Sequence, residues 1–240
     1  MRALILAAGR GSRMKQMTDE RPKCLVELNG RSLLDHQLAS LRAAGIDEIG
    51  IVTGYRREML ADKGLIEFHN PRWQETNMVS SLACAAQWLE AGSCVVSYSD
   101  IFYEPEAVSL LIEASAELAV TYDPNWLGLW SRRFGDPLDD AETFRMDDKG
   151  FLLEIGNRPT HVDKVQGQYM GLLRFTPTAW AEITRIRAAL GAAERDRMHM
   201  TGTLQRVIEA GRMAVKTVAY GGSWGEIDSA SDLDIYSAAS

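Results

Sequence analysis

Apolar residues fall along this chain in two alternating kinds of run. Short continuous runs, the pattern of strands buried on both faces, occupy residues 3–8, 48–53, 93–98, 118–122 and 168–175. Weaker runs of the same kind lie at 65–68 and 213–218. Between them the period changes to that of a helix. Leu34, Leu38 and Leu41 share one helical face, and Trp180, Ile183 and Ile186 another; further helices are predicted over 79–91, 106–116, 203–210 and 229–237. Punctuation supports these elements. Ser32 and Asp35 have capping-box spacing with Gly45 as a stop, Thr76 or Asn77 can cap the second helix before Gly92, and Pro105 and Pro177 stand at helix starts. A short extended piece over 24–28, turned by Asn29-Gly30, and a hairpin pairing 143–146 with 151–155 add antiparallel parts.

Repeated strand–helix alternation predicts an α/β fold, a single-domain three-layer α/β/α sandwich on a mostly parallel sheet. Ligands of such sheets lie beyond the carboxyl ends of the strands. Residues 1–240 are expected to form one domain. The alternation breaks over 123–148, where Pro124, Pro137, the acidic residues between Asp136 and Glu142, and Trp126, Trp130 and Phe134 predict a long ordered loop.

Composition narrows the partners. With 46% apolar and 25% charged residues among 240, the chain is an ordinary globular one, and its net charge of −7 argues against nucleic acid. Yet Arg10, Arg13, Lys15, Arg21 and Lys23 form a local basic patch, which points to a small anion. The cysteines Cys24, Cys84 and Cys94 are too scattered for a disulfide framework or zinc site, and the four histidines show no ligand spacing. The apolar run near the start is too short for a signal peptide, and no run reaches membrane-spanning length, so a cytoplasmic protein without a membrane partner is expected.

The candidate chemistry begins where the first apolar run meets Gly9-Arg10-Gly11-Ser12-Arg13, with Lys23 ten residues later behind Pro22. Glycines let backbone N–H groups approach a ligand closely, and nearby cations suit a polyphosphate. A P-loop would need Lys-Ser or Lys-Thr after the glycines, and a dinucleotide fingerprint a third glycine where Met14 stands. Neither is present. A solvated strand-to-helix turn is the plain structural alternative. Asp100 follows a buried run, at the mouth of the sheet, as a Mg²⁺ ligand or a cap before Pro105, and Asp228 stands where it can be the N-cap of the last helix.

Leu6-Ala7-Ala8-Gly9-x-Gly11-x-Arg13, followed by Arg21-Pro22-Lys23-Cys24-Leu25-Val26, resembles the signature of the nucleotidyltransferases that activate sugar phosphates and choline phosphate. The resemblance implies a glycosyltransferase-A-like fold. It also implies a phosphate-wrapping loop of Leu6, Ala7, Ala8, Gly9, Gly11 and Ser12, with Arg13 and Lys23 neutralising the triphosphate. Asp100 and Asp228 are then implied as ligands of Mg²⁺, with residues 1–122 as the nucleotide-binding part and residues 123–240 as the part that holds the acceptor and the second metal ligand. Where sugar-nucleotide enzymes usually carry a Pro-x-Gly-Thr-Ala stretch, this chain reads Glu75-Thr76-Asn77-Met78-Val79-Ser80-Ser81-Leu82. That is similar to bacterial choline-phosphate and phosphonate-associated cytidylyltransferases, and places Asn77, Ser80 and Ser81 at a base edge or ribose, or simply as helix caps. The same resemblance implies CTP and a small phosphate or phosphonate acceptor as partners. Tyr122, Trp126 and Trp130, with Tyr169 beside them, are expected to hold a quaternary or primary ammonium group by cation–π attraction, the alternative being an aromatic satellite core under the long loop. Arg132 or Arg133 is expected to grip a phosphate or phosphonate. The family's Glu-Lys-Pro is represented by Asn157-Arg158-Pro159, leaving its lysine role to Arg158 or Lys164. A sugar-1-phosphate nucleotidyltransferase and a non-catalytic nucleotide-binding relative are the alternatives, and monomer and homodimer both remain open.

Overall fold

A computed structural model describes residues 1–11, 14, 17–61 and 63–237. Ser12, Arg13, Lys15 and Gln16 therefore lie outside the described residues, and with them the expected roles of Ser12 and Arg13.

The first half of the chain builds one side of the sheet. It runs through β1 (Arg2–Ala7), the small hairpin β2 (Glu27–Leu28) and β3 (Arg31–Ser32), α1 (Leu33–Ala43), β4 (Ile49–Thr53), β5 (Ile66–His69), α2 (Met78–Ala83), α3 (Ala86–Ala91) and β6 (Cys94–Tyr98). There follow β7 (Ile101–Tyr103), α4 (Pro105–Glu113), β8 (Leu118–Asp123), α5 (Trp126–Arg133), β9 (Phe144–Met146), β10 (Leu152–Ile155) and β11 (Gln168–Phe175). The chain ends with α6 (Pro177–Ala188), α7 (Ala192–Asp196), α8 (Met200–Ala210), β12 (Val215–Ala219), β13 (Trp224–Glu226) and α9 (Ala230–Ser237).

Among the described residues the central sheet has seven strands in the order β12-β8-β11-β6-β1-β4-β5. Only β11 runs antiparallel to its neighbours β6 and β8. Side chains of β1 alternate between two cores. Ala3, Ile5 and Ala7 pack with α1, α4 and α5 on one face, and Leu4 and Leu6 pack with α2, α3, α6 and α8 on the other. A continuous apolar run is what a strand covered on both faces requires. The strand order reverses at β1, flanked by β4 and β6, and this is where an open α/β sheet leaves a crevice for its ligand.

Local signals worked where a cap or stop was present. Ser32 Oγ accepts the Asp35 N–H at 3.1 Å, and Gly45 ends α1 with φ +84°. The expected long helix over 79–91 is instead two short ones, α2 and α3, with Cys84 and Ala85 between them. The expected loop over 123–148 contains α5. Trp126, Leu129, Trp130 and Arg133 share its inner face, a helical period hidden because an arginine fills the fourth position.

Candidate active site

Two hollows lie beyond the carboxyl ends of β1 and β6, and Met78 and Tyr98 line both. The smaller, of about 180 Å³, is walled by Leu6, Ala8, Gly9, Gly11, Trp73 and Asn77 and opens on Asp100. Gly11 sits at φ +69°, and a Cβ there would meet the stem of Lys23 at 2.9 Å. The glycine thus serves close approach: the lysine lies against the loop backbone. Thr18 ties the loop down by donating to the Gly11 carbonyl at 3.0 Å.

Lys23 is buried, and its Nζ donates to Asp100 Oδ2 at 2.8 Å and to Asp228 Oδ1 at 2.5 Å. Burial alone would lower its pKa, but the charges of Asp100, Asp228 and Glu226 outweigh that and hold it above the ordinary lysine value. Residues 77 and 205 positions from Lys23 thus converge on one nitrogen. The convergence is made by the small ladder in which β13 pairs with β7. It sets Glu226 opposite Ile101, while the Ile227 N–H donates to the Asp100 carbonyl at 2.9 Å. From α1, the buried Gln37 amide donates to the carbonyls of Tyr98 (2.9 Å) and Ile101 (2.5 Å), strapping the turn that carries Asp100. Asp232 fixes the other carboxylate turn, accepting the N–H groups of Asp228 (2.9 Å) and Ser229 (2.8 Å).

Asp100, Glu226 and Asp228 offer carboxylate oxygens that all lie within 4.8 Å of one another. Asp100 Oδ1 is buried with no hydrogen-bond partner, a lone pair left for a ligand. Hard oxygen donors in this number suit Mg²⁺, which prefers a few carboxylates plus substrate oxygens. Glu226 was not anticipated, although Trp224-Gly225-Glu226-Ile227-Asp228 carried the signal: two acids two residues apart fall on one side of an extended segment. Burial, with the charges of Asp228 and Asp100, pushes the Glu226 carboxyl well above its usual range, against the pull of Arg133 and Lys23. Arg133, whose side chain is wholly buried, supplies countercharge: its guanidinium lies 2.9 Å from Asp232, 3.4 Å from Glu226 and 4.0 Å from Asp228. It also stacks over Trp130, 4.8 Å from the ring centre.

Other expected residues are placed differently. Ala7 turns into the opposite core. Ser81 lines the smaller hollow and accepts from Asn70, but the Ser80 hydroxyl accepts from Arg187 at 3.4 Å and does not line it. Of the acceptor residues, Tyr169 lines the larger hollow. The expectation for Trp126 and Trp130 is corrected: Trp126 donates its indole N–H to the Val165 carbonyl at 3.1 Å, and Trp130 is fully buried against Trp224. They belong to the core that α5 shares with α1 and α4 on one face of the sheet. Tyr122 is likewise withdrawn, buried and stacked on Phe144. Arg132 borders a separate hollow with Leu28, His36 and Trp224, while Arg158 and Lys164 are exposed and line neither of the two hollows.

A glycine loop, a buried lysine and a carboxylate cluster at the switch point of this sheet define a nucleotidyltransferase site. Residues 3–159 match the MobA-like NTP transferase domain, and the chain belongs to that family. It is 38% identical, over 98% of both chains, to a CTP:phosphoglutamine cytidylyltransferase of Campylobacter jejuni. A 2-aminoethylphosphonate cytidylyltransferase of Lancefieldella rimae is 28% identical over 64% of this chain and 60% of its own. The fold is that of an inositol-1-phosphate CTP transferase from T. maritima, with TM-score 0.78 at 20% identity, covering 98% of this chain and 93% of that one. The fold is glycosyltransferase-A-like, as the resemblance implied.

Proposed function

We propose that this protein transfers the cytidylyl group of CTP to a small acceptor carrying a phosphate or phosphonate, releasing pyrophosphate. The observation that carries the reading is the convergence of Lys23, Asp100, Glu226 and Asp228 beside the glycine loop. The cytidylyltransferase relatives, one of which matches almost end to end, support CTP as the donor.

The chemistry asks little covalent work of the protein. An acceptor phosphate or phosphonate oxygen attacks the α-phosphorus of CTP, and the bond from that phosphorus to the oxygen bridging to the β-phosphate breaks. Pyrophosphate leaves with that oxygen. Asp100, Glu226 and Asp228 would hold Mg²⁺, which supplies Lewis-acid charge when bound. Lys23 brings a fixed positive charge to the phosphates. Its ammonium is already oriented by two carboxylates, so little reorganisation is needed as charge develops. Gly9 and Gly11 allow the triphosphate to approach the backbone, and Asn77, Thr76 and Trp73 border the hollow left for the nucleoside.

Pyrophosphate release from CTP with Mg²⁺ and a small phosphorylated acceptor tests this. Asp100→Ala is expected to abolish turnover with the circular dichroism spectrum unchanged. Lys23→Ala is expected to slow it by roughly two to three orders of magnitude, the loss of one positioned transition-state donor. An Asp100→Ala protein as active as wild type would refute the assignment.

A further inference from the structure

The larger hollow, of about 250 Å³, opens on the carboxylate cluster through Glu226 and Asp228 and is also lined by Asp140, Glu142, Gln168 and Tyr169. Among the described residues no lysine or arginine lines it. The carboxylates there would repel a second anionic group. Glu142 is oriented from α8: the Thr201 hydroxyl donates to it at 3.4 Å and is itself within 3.2 Å of His199 Nδ1.

Gln168 is an independent sign of a ligand. It is only 8% exposed, at the start of the central strand β11, and its Oε1 has no hydrogen-bond partner. Leaving a buried acceptor unmade costs about 1–3 kcal/mol, so the group is informative where it lines a hollow. The wall is shaped for the purpose. The β11–β8 ladder slips between Tyr169 and Leu173, and Gly171 there has φ +78° with the Tyr98 ring where a Cβ would lie. Such a bulge lets consecutive residues, Gln168 to Gly171, face one chamber instead of alternating across the sheet.

We propose that this chamber receives the non-phosphate end of the acceptor and is built for a primary ammonium group, with Gln168 as a specificity-determining residue; the proposal rests on the transfer reading above. Two carboxylates and an amide oxygen are hydrogen-bond acceptors, and –NH₃⁺ brings three N–H donors to them. A quaternary ammonium brings none. Quaternary groups are held by aromatic cages; the rings that line this chamber, Tyr98 and Tyr169, are packed edge to face on each other with centroids 5.8 Å apart, and Trp126 and Trp130 are sealed in the core.

The test compares two acceptors that differ only in N-methylation, 2-aminoethyl phosphate and phosphocholine, with CTP and Mg²⁺, by pyrophosphate release and by calorimetric binding to the wild-type protein. Wild-type kcat/KM is expected to favour the primary amine by at least about 100-fold, since a site built to bond N–H groups rejects an analogue lacking them. Gln168→Leu is expected to lower kcat/KM for the amine about tenfold or more while leaving phosphocholine unchanged or improved. Equal or better use of phosphocholine by the wild type overturns the proposal, as does a Gln168→Leu loss equal for both acceptors. Equal use of ethyl phosphate, which has no amine, overturns it while leaving the transfer reading intact. Preferential binding of the amine without pyrophosphate release from any acceptor supports the subsite and refutes the transfer reading.

Discussion

At the scale of single residues, the site concentrates charge that burial makes expensive, and each group is kept in place by a partner. Lys23 needs Asp100 and Asp228, and Glu226 and Asp228 need Arg133. Glu142 is less well provided for. Burial, its largest influence, raises its carboxyl pKa above the ordinary value of 4.5, with Asp140 adding to the rise and the Thr201 hydroxyl and His199 opposing it. The folded protein therefore binds this proton more tightly than the unfolded chain. Its contribution to stability is full below pH 4.5 and is lost as pH rises through the higher folded value. Glu142→Gln removes that loss. Its melting temperature should match wild type in acid and exceed it at pH 7, a gain that comes with weaker use of an amine-bearing acceptor. A variant less stable than wild type at pH 7, by the same margin as in acid, would contradict this.

At the scale of elements, the site depends on three short pieces brought to the sheet end: β13 with its turn, α5 and α9. Arg133 of α5 links them, reaching Glu226 of β13 and Asp232 of α9. Arg133→Met strands buried carboxylates without their countercharge, and breaking a buried pair in this way costs about 3–5 kcal/mol. Equilibrium urea denaturation should show that loss, and a change within 0.5 kcal/mol, roughly the scale of surface substitutions, would show that the linkage is not needed. These same pieces were the least legible in the sequence. The long strands and capped helices announce themselves by period and punctuation, because each is satisfied locally or by a covered face. The β7–β13 ladder has three residues per strand and joins segments more than 120 positions apart, so no local pattern encodes it. Lys23, Asp100 and Asp228 were visible as motif residues. Glu226 and Gln168 were not singled out, since one acid or amide in a strand is ordinary until the fold shows what it faces. Trp126 and Trp130 left a cage and a packed core equally open for the converse reason: aromatic residues near acidic ones fit either until α5 turns them inward.

At the scale of the whole molecule, the proposed function has an acidic chain of net charge −7 handle an anionic nucleotide by dividing the work between two hollows. In that proposal the glycine loop and Lys23 take the triphosphate, and the chamber lined by acids lies on the other side of Met78 and Tyr98. Among the described residues no helix is long and apolar enough to cross a membrane. The division implies an order of discrimination, with nucleotide chosen in the smaller hollow and acceptor in the larger. The most direct measurement is pyrophosphate release with Mg²⁺ across CTP, UTP, ATP, GTP and dTTP, using 2-aminoethyl phosphate and a hexose 1-phosphate as acceptors, repeated with EDTA. The account expects release with CTP and the phosphorylated amine, abolished by EDTA. Preference for UTP or dTTP with the hexose 1-phosphate, or no release from any pair, would contradict it.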